Sequence, residues 1–137
     1  MRREAIEICK AGFRVIPLNG KKPFWEKWQD RAFSDPFDVA ELWPGDEYNV
    51  GIVCGNGLVV LDVDVTKGGD AAFARMVAEL GELPPTRRVR TQSGGFHYYF
   101  NVPPGADVSN SAKMLQARFG EGLDVRGSGG QVVAPGS

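Results

Sequence analysis

A chain of 137 residues, 42% hydrophobic and 24% charged, has the length for one compact domain with a real core and the composition of an ordinary globular protein. Its formal net charge of −1 excludes a uniformly basic nucleic-acid coat, and no window approaches the roughly 18 uninterrupted apolar residues of a membrane span. Met1-Arg2-Arg3-Glu4 leads into an amphipathic segment rather than a signal-peptide core, and Cys9 and Cys54 lack metal-ligand spacing, so the expectation is a soluble cytoplasmic protein with no membrane partner and two buried free thiols.

Residues 2–11 place Ala5, Ile6, Cys9 and Lys10 at helical spacing, with Gly12 as the stop. Phe13 to Leu18 reads as a strand closed by Pro17, and Asn19-Gly20-Lys21-Lys22-Pro23-Phe24-Trp25 as a turn carrying two lysines and aromatics. That loop is either solvated surface or a place where Lys21 or Lys22 meets a phosphate while Trp25 or Trp28 meets a base or the core. Asp35-Pro36 opens a short helix with apolar residues at 39, 42 and 43, stopped by Pro44-Gly45. Val50 to Cys54 and Leu58 to Val63 are β-rich runs across Gly55-Asn56-Gly57, which predicts a hairpin.

Asp70 to Leu80 spaces Ala71, Phe73, Ala74, Val77 and Leu80 as a helix ending at Gly81. Arg87 to Thr91 and Phe96 to Phe100 read as strands on either side of Ser93-Gly94-Gly95. The stretch from Val102 begins with Pro103-Pro104-Gly105 and carries a helical turn over 112–116. Gly122 to Gly127 and Gly130 to Pro135 read as two short strands across a Gly-rich turn. Charge is uneven along this order: residues 1–34 hold eight Lys/Arg against four Asp/Glu, residues 35–80 two against nine, and residues 81–137 six against four. An acidic middle between basic flanks is compatible with a cation site framed by phosphate-contacting segments.

The chemistry-bearing residues gather around that acidic middle. Alternation along Val59-Val60-Leu61-Asp62-Val63-Asp64 sends Asp62 and Asp64 to one side and the apolar residues to the other. Two adjacent carboxylates suit a hard cation such as Mg²⁺; the same pattern also marks a strand running out into solvent. His97, the sole histidine, follows the Ser93-Gly94-Gly95 turn, whose backbone N–H groups can approach an anion; alone it is equally a structural histidine. Asp124 is a turn aspartate or a third carboxylate, with Arg126 two residues on. If its strand lies beside that of Asp62, three carboxylates and a histidine face one pocket, the equipment of two-metal phosphoryl or nucleotidyl transfer.

In order, Asn49 to Gly55 leading into Leu58 to Asp64, then Ser93-Gly94-Gly95-Phe96-His97-Tyr98-Tyr99-Phe100, then Gly122-Leu123-Asp124-Val125-Arg126-Gly127 through Gly130 to Pro135, resemble the bifunctional primase-polymerase domain of the archaeo-eukaryotic primase superfamily. Gly12 to Leu18 with Lys21, Pro23 and Trp28 is similar to that family's opening segment. The resemblance implies an α/β (α+β) catalytic core spanning 1–137, with an N-terminal α/β module packed on an RRM-like sheet. It also implies that the chain is a fragment or short version, because members continue past the Val-Ala-Pro stretch. The implied activity is template-directed nucleotidyl transfer by a DNA primase/DNA polymerase in the replication of a plasmid, phage or mobile element. Asp62, Asp64 and Asp124 would hold two divalent cations, Mg²⁺ or Mn²⁺. His97, with Ser93, Gly94, Gly95 and Arg126, would bind the incoming nucleotide, and Lys21 and Lys22 would meet template or nucleotide phosphates. The implied partners are a DNA template and primer, dNTP or NTP, and a helicase domain or protein.

Two other readings compete. Asp62-Val63-Asp64-Val65-Thr66 fits the Asp-x-Asp-x-Thr motif of haloacid dehalogenase phosphatases, with Asp62 as nucleophile. That reading needs a later lysine and an acidic pair, and Lys113 is the only lysine beyond residue 67. A non-catalytic nucleic-acid-binding module is the second alternative, against which stands the cost of keeping repelling carboxylates together.

Overall fold

In the computed structural model, which describes residues 1–103, 105–110 and 113–137, the chain runs through α1 (Arg2–Lys10), β1 (Val15–Asn19), β2 (Lys22–Pro23), α2 (Pro36–Leu42), β3 (Asn49–Val53), β4 (Leu58–Val63), α3 (Gly69–Leu80), β5 (Arg87–Arg90), β6 (Phe96–Asn101), α4 (Lys113–Phe119), β7 (Leu123–Arg126) and β8 (Gln131–Val133). Short 3₁₀ turns occupy Trp28–Asp30 and Val65–Lys67. Helices and two antiparallel sheets make this the α+β class that the sequence implies. Among the described residues no helix is long and apolar enough to cross a membrane. Pro104 and Ala112, both part of the sequence reading, lie outside the described residues.

The length suggests one compact domain, and the chain divides into two compact units, residues 1–53 with 131–137 and residues 54–130. The first unit carries the sheet β2-β1-β3-β8, each neighbour antiparallel. Val15, Ile16, Leu18, Val50 and Ile52 are buried in it, α1 buries Ala5 and Cys9 one turn apart, and α2 buries Val39. The α2 N-terminus is held as its sequence demands, with the Asp35 carboxylate accepting from the Phe37 N–H at 2.9 Å. Strand β1 runs through Pro17 instead of stopping there. Pro17 C=O accepts from the Phe24 N–H beyond the end of the two-residue β2, so the missing proline N–H falls on the side where no ladder bond is required.

The second unit orders its strands β5-β6-β4-β7, again all antiparallel. Helix α3 links β4 to β5 with β6 lying between them, and α4 links β6 to β7. This β-α-β-β-α-β succession is the ferredoxin-like arrangement that RRM sheets share. One face is packed by Leu61, Val63 and Leu123 against Ala72 and Met76 of α3 and Phe119 of α4, with Phe73 stacked on Tyr98 at 5.3 Å. The buried side of α3 is Gly69, Ala72 and Met76, so the face differs from the predicted one, and Leu80 is exposed. The reason lies in the backbone at the start of the helix. A Cβ on Gly69 would lie 2.6 Å from Asp64 O and 2.7 Å from Gly122 O, which sets the rotation of α3 before side-chain hydrophobicity has a say.

The predicted hairpin of Val50 to Cys54 with Leu58 to Val63 does not form as a strand pair. The Gly55-Asn56-Gly57 turn closes, with reciprocal backbone bonds between Gly55 and Leu58 at 2.8 and 3.1 Å, but β3 pairs with β1 and β8 while β4 pairs with β6 and β7. Strands β7 and β8 part company in the same way. Each Gly-rich turn is the point where the chain leaves one sheet for the other. Cys9 and Cys54 are free and buried, as expected, and burial, reinforced by Asp35 and Asp38, pushes the Cys9 thiol up.

Gly122 adopts φ +94° with its Cα facing the Gly69 amide, so an added Cβ meets both backbone strain and overlap. Gly122→Ala is expected to lose about 3 kcal/mol or more of unfolding free energy in urea. Gly57→Ala, at φ +97° in open space, carries only the conformational cost of about 1 kcal/mol. Equal losses for the two variants would show that the close approach at Gly122 carries no weight.

Candidate active site

The face of the second sheet opposite α3 and α4 carries the polar groups. Because Leu61 and Val63 point into the helical core, Asp62 between them projects to the other side. The register then brings two distant segments beside it. His97 is the Cα partner of Asp62 on β6, and Asp124 is its partner on β7, so Val89, His97, Asp62 and Asp124 form one row across β5, β6, β4 and β7. Directly opposed residues hold their Cβ atoms about 4.5–5.5 Å apart, within reach of a shared ligand. The next row is Arg87, Tyr99, Val60 and Arg126.

Each carboxylate of these rows has a close nitrogen neighbour. His97 Nε2 stands 3.4 Å from Asp62 Oδ1, and Arg126 pairs with Asp124 Oδ2 at 2.8 Å. The carboxylates remain 25% and 22% exposed at Asp62 and Asp124, whereas the His97 residue is only 7% exposed. His97 Nδ1 is buried and has no hydrogen-bond partner among the described residues. A buried polar atom in that condition costs free energy, which is characteristic of a site shaped for something other than stability.

Asp64 is placed differently from its neighbour. It caps the Val65–Lys67 turn, with Oδ1 accepting from Thr66 N at 3.0 Å and from Thr66 Oγ1 at 2.6 Å. Its backbone N–H donates to Gly122 O at 2.7 Å, and its carbonyl accepts from Gly69 N–H at 2.8 Å. Among the described residues no group of three or more His, Cys, Asp or Glu side chains is arranged to hold a metal. The donors that stand together are Asp62 and Asp124, two hard oxygen ligands on adjacent strands, which fit Mg²⁺ or Mn²⁺ in chemistry, with Asp64 just past the end of β4.

The Ser93-Gly94-Gly95 turn connects β5 and β6 immediately before the His97 strand. It is closed by Gly94 N–H to Thr91 O at 3.0 Å and by Thr91 N–H to Gly95 O at 2.9 Å, with Ser93 Oγ 3.2 Å from Thr91 Oγ1. The Gly94 amide is thus engaged within the turn. Lys21 and Lys22 belong to the first unit, both exposed on the β1–β2 hairpin, where Lys21 C=O accepts from Gln131 Nε2 at 3.3 Å. Two residues of the polar face escape the sequence reading. Arg87 and Tyr99 share the face with Asp62, a fact that requires the β5–β6 register; the alternation Arg87, Val89 within β5 is the only local trace of it. Burial pushes the Tyr99 phenol up to about 12, with Cys54 acting in the same direction and Arg87 in the opposite one.

Compared with known protein families, residues 5–137 match the model described as bifunctional DNA primase/polymerase, N-terminal. No curated protein matches the chain.

The Tyr99 environment has a measurable consequence. The unfolded chain ionises this phenol near its ordinary value of 10 while the folded chain keeps it neutral to about 12, so its contribution to stability is full below pH 10 and falls as pH rises through that window. Tyr99→Phe is expected to remove about 2–3 kcal/mol of the alkaline loss between pH 10 and 12, read from urea denaturation of both proteins across that range. Parallel stability profiles would contradict the buried, neutral phenol.

Proposed function

The chain belongs to the bifunctional DNA primase/polymerase family, and on that premise we propose that it catalyses template-directed nucleotidyl transfer with Asp62, Asp124 and His97 at the reacting centre. The observation that carries the residue assignment is the row His97–Asp62–Asp124, assembled from three strands on one sheet face. Opposing two carboxylates directly across a strand pair is destabilising unless a cation offsets it, and among the described residues the Arg126 ion pair goes to Asp124.

Asp62 and Asp124 would hold the divalent cation, with Asp64 as a third ligand once its carboxylate leaves Thr66. When bound, the cation neutralises triphosphate charge and lowers the pKa of a 3′-hydroxyl. The protein's own groups orient the reactants. Arg126, pre-placed beside Asp124, is positioned to exchange part of that ion pair for a phosphate oxygen, a charge-assisted contact that suits its planar fork. His97 Nε2, beside the Asp62 carboxylate, would donate either to that carboxylate or, with nucleotide bound, to a phosphate oxygen. The Ser93-Gly94-Gly95 turn sets the start of β6 and hence the height of His97, with the Ser93 hydroxyl as a phosphate donor. Lys21 and Lys22 supply screening for template or nucleotide phosphates. Replication of a plasmid, phage or mobile element, with a helicase opening the same template, is the setting this activity fits.

The test is extension of a primed template with labelled dNTPs or NTPs in Mg²⁺ or Mn²⁺. Asp62→Ala, Asp124→Ala and His97→Ala are each expected to lose roughly 10²-fold or more in rate, the scale of several kcal/mol of transition-state stabilisation. Wild-type protein that binds template but incorporates nothing would reduce the reading to a binding module, and template-independent phosphate release from a monoester would favour the phosphatase. Asp64→Asn separates the two roles of that residue. Asparagine caps a turn as well as aspartate does, so stability is expected to hold while extension falls; unchanged extension would leave Asp64 a cap alone.

A further inference from the structure

The backbone of Asp64 is anchored on both sides. Its N–H donates to Gly122 O at 2.7 Å and its carbonyl accepts from Gly69 N–H at 2.8 Å, and a Cβ on either glycine would overlap neighbouring main chain. The residue is extended, φ −95° and ψ 101°, so the alternation of β4 runs on through it and its Cβ leaves the sheet on the side of Asp62. From that anchored Cα the carboxylate turns along the chain: Oδ1 accepts from Thr66 N at 3.0 Å and from Thr66 Oγ1 at 2.6 Å. Rotation about the side-chain bonds is the freedom left to it.

The donors at this carboxylate differ from those beside its neighbours. Asp62 has the His97 ring at 3.4 Å and Asp124 the Arg126 guanidinium at 2.8 Å, whereas the contacts at Asp64 Oδ1 come from the neutral amide and hydroxyl of Thr66. Thr66 is exposed, so water takes the place of its hydroxyl when the contact breaks, and the exchange costs little. Repulsion raises the energy of a carboxylate turned toward others, and the Thr66 contact relieves it by drawing the charge to two donors. The hydroxyl is therefore placed to compete with a cation for the same oxygen.

We propose that Thr66 is a positioning residue that holds Asp64 off the cation site, and that the strength of its hydroxyl contact sets the divalent-cation concentration at which this third ligand engages. The inference rests on the reading of Asp62 and Asp124 as the residues that hold the cation. Asp64 then has two states on one fixed backbone, turned to Thr66 in the first and released to ligate in the second. The free-energy difference between them decides the balance, so weakening the Thr66 contact raises the population of the second state at any given cation concentration.

The test measures Mn²⁺ binding to the full chain, without nucleotide or template, from the electron paramagnetic resonance signal of the free ion. Thr66→Val keeps the β-branched shape and the backbone amide but removes the hydroxyl, and is expected to tighten Mn²⁺ binding roughly 3- to 10-fold, the scale of one hydrogen bond. Thr66→Ser keeps wild-type affinity. Against an Asp64→Asn background Thr66→Val changes nothing, because Thr66 acts through that carboxylate. A second readout needs no variant: in wild-type protein titrated with diamagnetic Mg²⁺, the Thr66 amide proton resonance moves upfield as its carboxylate acceptor leaves. Unchanged or weaker Mn²⁺ binding in Thr66→Val overturns the proposal, as does a Thr66 amide proton that keeps its position at saturating Mg²⁺. Asp62→Ala and Asp124→Ala keep the two readings apart. Loss of Mn²⁺ binding in both, with no effect of Thr66→Val, removes the role of Thr66 alone; wild-type Mn²⁺ binding in both removes the cation from these residues and the role of Thr66 with it.

Discussion

Three backbone segments converge at the end of β4 with no room for a side chain between them. Asp64 N–H donates to Gly122 O, Gly69 N–H donates to Asp64 O, and Gly69 and Gly122 face each other as bare Cα atoms. This approach has three effects at once. It holds β7 against β4, which puts Asp124 opposite Asp62; it fixes the rotation of α3, which selects Ala72 and Met76 for the core; and it ends β4 at the residue whose carboxylate then caps the next turn. Backbone hydrogen bonds in so confined a place have no water to replace them, so the geometry is set tightly.

The polar face that results is electrostatically tense. Asp62 and Asp124 oppose each other across a strand pair, with Arg126 paired to Asp124 and the His97 ring beside Asp62. A sheet selected for stability alone would place a β-branched or aromatic pair at that register. Instead the tension sits above a well-packed apolar layer of Leu61, Val63, Leu123 and Phe119, and that layer pre-positions the charged side chains on rigid strands rather than on loops.

Much of this was legible in advance. Helices α1 and α2 with their caps, the strands around Asp62, His97 and Asp124, and the free buried thiols all follow from periodicity, turn residues and spacing. The local turn signal misled at Gly55-Asn56-Gly57, because a Gly-rich turn specifies a reversal but not whether the two strands it joins will pair. The face of α3 misled because glycine, with no hydrophobicity to register, decided it. Arg87 and Tyr99 were missed because only the pairing of β5 with β6 puts them on the face of Asp62.

The sequence by itself determined the element types and which residues carry charge, rings and hydroxyls, since these depend on side-chain chemistry and on contacts within a few residues. Through motif order it also identified the family. Only the tertiary structure decided that Asp62 has His97 and Asp124 as neighbours, that the Asp64 carboxylate turns to Thr66, and that β3 and β4 belong to different sheets. Those outcomes rest on strand register and backbone approach between segments dozens of residues apart, where the decisive terms are the hydrogen bonds of main-chain groups common to every residue.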